Sequence, residues 1–147
     1  MIEMRRTEAI YSSETVGGFD KNHFSKPVLL SYARGHLDYR DLIAIHQIED
    51  SIIAIESKGL RASPLVRHLS SVTSMKRIPD AYRQLMEYKF NLWIDLLRDD
   101  EIVAGAILDI VIDGKSFVSV DRRFHRANGW TRKNLVRGIQ LWDINHN

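Results

Sequence analysis

The feature that most limits what this chain can fold into is the return of apolar side chains at steps of three and four along most of its length. Between Tyr39 and Ser57, Leu42, Ile45, His46, Glu49, Ile52, Ile53 and Glu56 keep that step, which makes an apolar stripe with an acidic flank on one helix. Asp38 stands where an N-cap belongs and Gly59 where a C-terminal glycine belongs. A second helix is predicted from Pro79-Asp80 to about Arg98, with Tyr82, Leu85, Met86, Trp93, Leu96 and Leu97 as its buried face. A third runs over about 101–112, where Ile102, Val103, Ala106, Ile107, Ile110 and Val111 are apolar. Ser116 can cap a helix from Phe117 to about Ala127, and Thr131 another from Arg132 to about Ile144. The stretches SIIAI and AILDIVI sit inside helical periodicity, although the Ile and Val content of the second also suits a strand. The predicted fold class is all-α, a small helical domain ending in a helix-turn-helix-like three-helix unit at about 101–144.

The 147 residues suffice for one domain with its own core, and 44% apolar against 27% charged residues is a globular composition. Residues 1–26 lack sustained periodicity and carry Gly17-Gly18 among Ser, Thr and Asn, so they are predicted to form a flexible arm that orders only against a partner. The helical domain then spans 27–147. Its opening, Pro27 with VLLSYARGHL, fits an extended or a helical lead-in equally. Ser63-Pro64 can open a short helix within an otherwise loop-like stretch.

There are no cysteines, which excludes a disulfide framework, a thiolate metal site and a thiol nucleophile. The N-terminus has no signal-peptide run, and no uncharged segment is long enough to span a bilayer. A cytoplasmic protein with no membrane contact is expected.

The charge is unevenly spread. Beyond residue 114 stand Lys115, Arg122, Arg123, Arg126, Arg132, Lys133 and Arg137 against only Asp121 and Asp143, whereas the preceding residues are net acidic. Phe117, Val120 and Phe124 share one face of the first basic helix, and Leu135, Ile139 and Trp142 share one face of the second. The cations therefore point elsewhere. Asn128-Gly129 between the helices is a tight-turn signal, because both residues tolerate positive φ. Three short helices with a sharp final joint are the plan of a helix-turn-helix, whose last helix enters the major groove of double-stranded DNA by its N-terminal end. On this reading Thr131, Arg132, Lys133, Asn134 and Arg137 meet the groove, while Arg122, Arg123 and Arg126 sit on phosphates. A solvated basic face on a structural bundle is the competing reading. His125 stands where that plan has a small residue, and Gly138 where it has a core residue. Trp130 is assigned to the core as a hydrophobic staple in preference to stacking on a base.

The stretch SVDRRFHRANGWTRKNLVRGIQLW resembles the C-terminal signature of a domain-of-unknown-function family found in alphaproteobacterial helix-turn-helix regulators. Asp121-Arg122, Gly129-Trp130, Arg132, Lys133, Leu135, Gly138 and Leu141 stand at the matching positions. DLIAIHQIEDSIIAIESKGL is more loosely similar to the first helix of that family, without its Ala-Gly pair. The resemblance implies a DNA-associated transcription regulator related to activators of prophage-like gene transfer agent clusters. It carries no catalytic site, so no active residues and no enzyme activity are expected.

Nothing else in the sequence carries chemistry as plainly. The histidines His23, His36, His46, His68, His125 and His146 never recur at the i, i+4 spacing of a helical metal pair, so no metal site and no cofactor are predicted. His46 reads as a core or boundary histidine. Glu49-Asp50 and Asp99-Asp100-Glu101 read as solvated faces or helix junctions, since adjacent acids on a helix diverge. Two further roles stay open: a module docking on RNA polymerase or a partner regulator, and a phage-type packaging or assembly component that forms a ring-like homo-oligomer.

Overall fold

The computed structural model describes residues 15–16, 19–20, 23–58 and 79–146. The described part is all-helical, with six helices and one short antiparallel pair, β1 (Thr15–Val16) and β2 (Phe19–Asp20). The helices are α1 (Lys26–Ala33), α2 (Tyr39–Lys58), α3 (Asp80–Asp99), α4 (Ala104–Val111), α5 (Phe117–Arg123) and α6 (Trp130–His146). The reading of Ser63-Pro64 as a helix start, and of Gly59 as a helix end, falls outside the described residues. So does most of the expected arm, but its last part takes in Phe24, which is buried, and Phe19, which packs against the core.

Pro27 in the first turn of α1 resolves the lead-in as a helix, because a proline there forfeits no intrahelical hydrogen bond. Ser25 at its cap uses its hydroxyl elsewhere, donating to the Ile110 carbonyl at 2.7 Å and so fastening the start of α1 to the end of α4. Asp38 and Asp41 close the N-terminus of α2 reciprocally: the Asp38 amide donates to Asp41 Oδ2 at 2.8 Å, and the Asp41 amide donates to Asp38 Oδ1 at 3.0 Å. This is a capping box built from two aspartates.

α6 is the hub, packing against α2, α3, α4 and α5. Its inward face carries Leu135, Ile139 and Trp142, as the spacing predicts. The Trp142 ring meets the buried Trp93 of α3 edge-on, with centroids 5.6 Å apart, a preferred geometry for an aromatic pair. Both indole N–H groups find acceptors, Trp93 Nε1 on the Gly138 carbonyl and Trp142 Nε1 on Gln47 Oε1, each at 2.8 Å. Gly138 is thus a core position through its backbone. A Cβ built there would lie 2.3 Å from Ile107 Cδ1, so the missing side chain is what lets α6 approach α4.

The stripe of α3 differs from the predicted one. Met86, Trp93 and Leu97 are buried as expected, but Leu85 is 51% exposed and Lys89 is buried in its place. The Lys89 ammonium lies over the Trp142 ring, 4.8 Å from its centroid, and donates to Gln47 Oε1 at 3.4 Å, so a cation held by an aromatic face occupies a place that a sequence pattern assigns to leucine. α4 starts at Ala104 because Glu101, at φ 58°, breaks the chain away from α3. α5 stops at Arg123 because His125, at φ 55°, turns the chain in the left-handed region.

Candidate functional site

The basic corner is organised by an acid. Asp121, buried on α5, accepts hydrogen bonds from the Gly129 amide at 3.0 Å, the Thr131 amide at 2.7 Å and the Thr131 hydroxyl at 2.6 Å. The predicted Thr131 cap is therefore replaced by a carboxylate reaching across from the preceding helix, which also places negative charge at the positive end of α6. Burial pushes the Asp121 pKa upward, but the bonds from Thr131 and Gly129 outweigh it and hold the carboxyl below the usual carboxylate range. Positive φ in the connection falls at His125 and at Gly129 (93°), while Asn128 does not adopt it.

The residues predicted at the DNA divide into three groups. Thr131 and Asn134 are buried and committed inward, a correction to the sequence reading. Thr131 serves Asp121, and Asn134 holds both backbone polar groups of Val103, accepting from its amide and donating to its carbonyl at 2.9 Å each. Neither can turn to a base edge without leaving buried groups unpaired. Arg123 and Arg137 are outward but ion-paired, Arg123 with Asp109, which Lys115 also approaches, and Arg137 Nε with Asp100 at 2.8 Å. Arg122, Arg126, Arg132 and Lys133 are exposed, with no ion pair among the described residues. Arg126 lies over the ring of Trp130 at 5.0 Å, and Trp130 packs against Phe124 with centroids 5.8 Å apart, so the tryptophan serves the fold as a staple does.

Beside this corner a cleft of about 270 Å³ separates the end of α1 from the start of α6. Arg34, His36 and Arg132 line it together with Asn128 and Gly129. Arg34 and His36 lie nearly a hundred positions upstream of Arg132, too far for any spacing in the sequence to connect them. Only the fold brings them to the same opening.

A second constellation joins residues that the sequence reading kept apart. His23 Nε2 lies 2.8 Å from His46 Nδ1 and 3.2 Å from Glu49 Oε2. The three donor atoms all fall within 4.8 Å of one another. Behind them, Asp50 Oδ2 is 3.5 Å from His46 Nε2 and accepts a hydrogen bond from the Tyr82 hydroxyl at 2.9 Å. Glu49 and Asp50 are buried, which corrects their assignment to a solvated face. Burial depresses the pKa of His46, against the pull of Asp50 and with help from His23, while burial and Asp50 raise that of Tyr82. The visible signal was His46 and Glu49 one helical turn apart; the invisible one was His23, which only the fold brings to them.

Among the described residues no helix is long and apolar enough to cross a membrane. Comparison with protein-family models, with curated proteins and with solved structures finds no match.

Proposed function

We propose that this chain binds double-stranded DNA through the α5–α6 corner, chiefly by its phosphates. The observation that carries the reading is the set of exposed cations Arg122, Arg126, Arg132 and Lys133 around one joint, none with an ion pair among the described residues, in a chain whose other part is net acidic. Arg34 extends the set across the cleft. With Thr131 and Asn134 turned inward and Arg137 held by Asp100, the first turn of α6 offers charge rather than a row of base-reading side chains. Transcription regulation, which the resemblance implies, is the role such contact would serve.

The test is a duplex-binding titration across salt concentration. With four or five phosphates neutralised, the log–log slope should be about −4, and Arg132→Ala or Lys133→Ala should each reduce its magnitude by about 1. Association that is absent, or indifferent to salt, overturns the reading. Selection from random duplexes should enrich no strong motif.

A protein-docking role is the second reading, favoured by one observation. Leu85, Tyr88 and Leu92 stand at helical spacing on α3 and are all exposed, Tyr88 most of all at 63%. Such a face fits RNA polymerase, a partner regulator or a homo-oligomer, including the ring of an assembly component. Light scattering that finds a monomer for the wild type and for Tyr88→Asp alike removes the homo-oligomer and the ring.

A further inference from the structure

We infer that His23, His46 and Glu49 form a site for one divalent transition-metal ion, zinc being the best fit, which ties the segment ahead of α1 to α2. Three side-chain donors from two separate parts of the chain converge here, and they are of the kinds zinc takes: two imidazole nitrogens and a carboxylate oxygen. The distances suit an ion between them. Donors held tetrahedrally at about 2.1 Å from a metal lie about 3.4 Å apart; His23 Nε2 is 2.8 Å and 3.2 Å from its two neighbours and all three atoms lie within 4.8 Å, so an ion enters once the two imidazoles part by about 0.6 Å.

Hydrogen bonding alone serves the cluster poorly. If His23 Nε2 carries a proton, His46 Nδ1 and Glu49 Oε2 compete for it. If His46 Nδ1 carries it instead, His23 Nε2 sets its lone pair against the Glu49 carboxylate. A single proton between the two imidazole nitrogens cannot serve both of His23 Nε2's neighbours at once, whereas a cation accepts a lone pair from each of the three atoms.

An independent feature points the same way. Asp50 stands behind His46 on the side of the ring away from the cluster, and Tyr82 from α3 fixes that carboxylate. A carboxylate on the far nitrogen of a ligating histidine is the usual support of a metal site, where it sets the tautomer and the orientation of the ring. The other oxygen of Asp50 is buried with no hydrogen-bond partner among the described residues. Phe19 packs on both imidazoles, with centroids 5.4 Å from His23 and 5.2 Å from His46, and holds them in a largely apolar wall. Three protein donors leave a fourth tetrahedral position for water or a further ligand.

The experiment uses the full chain, stripped with chelator and then titrated with Zn²⁺ alone by calorimetry and with Co²⁺ alone by visible absorption. The expected result is one equivalent per chain, with the strong d–d bands of four-coordinate cobalt, bleached by added zinc. His23→Ala and Glu49→Gln should each weaken binding by more than about 100-fold, and Asp50→Asn by about 10- to 100-fold. His125→Ala should change nothing. Each variant is checked for helical content without metal, and Glu49→Gln, which keeps the shape of the side chain, reads the site even if an alanine variant unfolds. Substoichiometric binding, the weak bands of six-coordinate cobalt, or affinities unchanged in His23→Ala and Glu49→Gln overturn the assignment.

Discussion

Asp121 and Thr131 stand on consecutive helices and are joined twice, the carboxylate taking both the amide and the hydroxyl hydrogen of the threonine at 2.7 Å and 2.6 Å. With the Gly129 amide on the other carboxylate oxygen, this pair fixes the angle at which α6 leaves α5. The orientation of the basic corner therefore depends on a buried acid and not on its exposed cations.

Removing that acid should loosen the joint. Asp121→Ala leaves three donors facing a small void, and should cost about 2–4 kcal/mol in urea denaturation. Asp121→Asn retains one acceptor oxygen and should cost less. The folded pKa of Asp121 is below its unfolded value of 3.8, so its contribution is present above that value and is lost only as pH falls through the lower folded pKa. The wild-type joint should accordingly be insensitive to pH from about 5 to 8, as checked by hydrogen exchange of the Thr131 amide.

Helices were legible because burial on one face imposes a period on the sequence, and α2, α3 and α6 carry that period over many turns. What escaped was the identity of particular side chains on it. Lys89 takes a place that the pattern gives to an apolar residue, since its stem is apolar and its buried ammonium is received by the Trp142 ring and by Gln47 Oε1. Asn134 looked like a DNA-reading residue because it follows Arg132 and Lys133. Its position on the inner face shows only once Val103 is known to lie opposite. The His23 side of the histidine cluster depends on a contact across 23 positions, with no local spacing to reveal it.

Asn134 and Arg132 should separate when stability and DNA binding are measured together. Asn134→Ala strips Val103 of both its partners and should destabilise the fold by about 1–3 kcal/mol, with the salt slope of binding unchanged in the fraction that remains folded. Arg132→Ala should leave stability within about 0.5 kcal/mol while reducing that slope. If Asn134→Ala were as stable as wild type and bound DNA more weakly, its placement at the α4–α6 contact would be wrong.

Gly138 gives a sharper test of packing. An alanine Cβ at this position meets the terminal methyl of Ile107 at 2.3 Å and the Ile102 Cγ2 at 3.4 Å. Ile107 is fully buried, so its end has little room to swing away. Gly138→Ala should cost about 1–3 kcal/mol. Ile107→Val removes the clashing Cδ1 and, combined with Gly138→Ala, should recover part of that loss. A double variant whose cost merely equals the sum of the single costs would show that the two residues do not meet.

The start of α2 should show a pH dependence opposite in sign to that of Asp121. Burial, reinforced by the nearby charges of Asp38 and Asp143 and opposed by the Asp38 amide, pushes the Asp41 pKa up to about 6 from 3.8. A carboxyl with a raised folded pKa favours the native state below its unfolded pKa, and that advantage disappears as pH rises through the folded value. At neutral pH the ionised Asp41 therefore weakens the very cap it helps to build. Asp41→Asn keeps an oxygen for the Asp38 amide and discards the charge, so it should melt higher than wild type at about pH 8. The two melting temperatures should converge as pH is lowered from about 6 to about 4, where wild-type Asp41 becomes neutral. A difference that stays constant over this range would mean that Asp41 titrates as an exposed carboxylate and that repulsion from Asp38 and Asp143 has no part in the stability of α2.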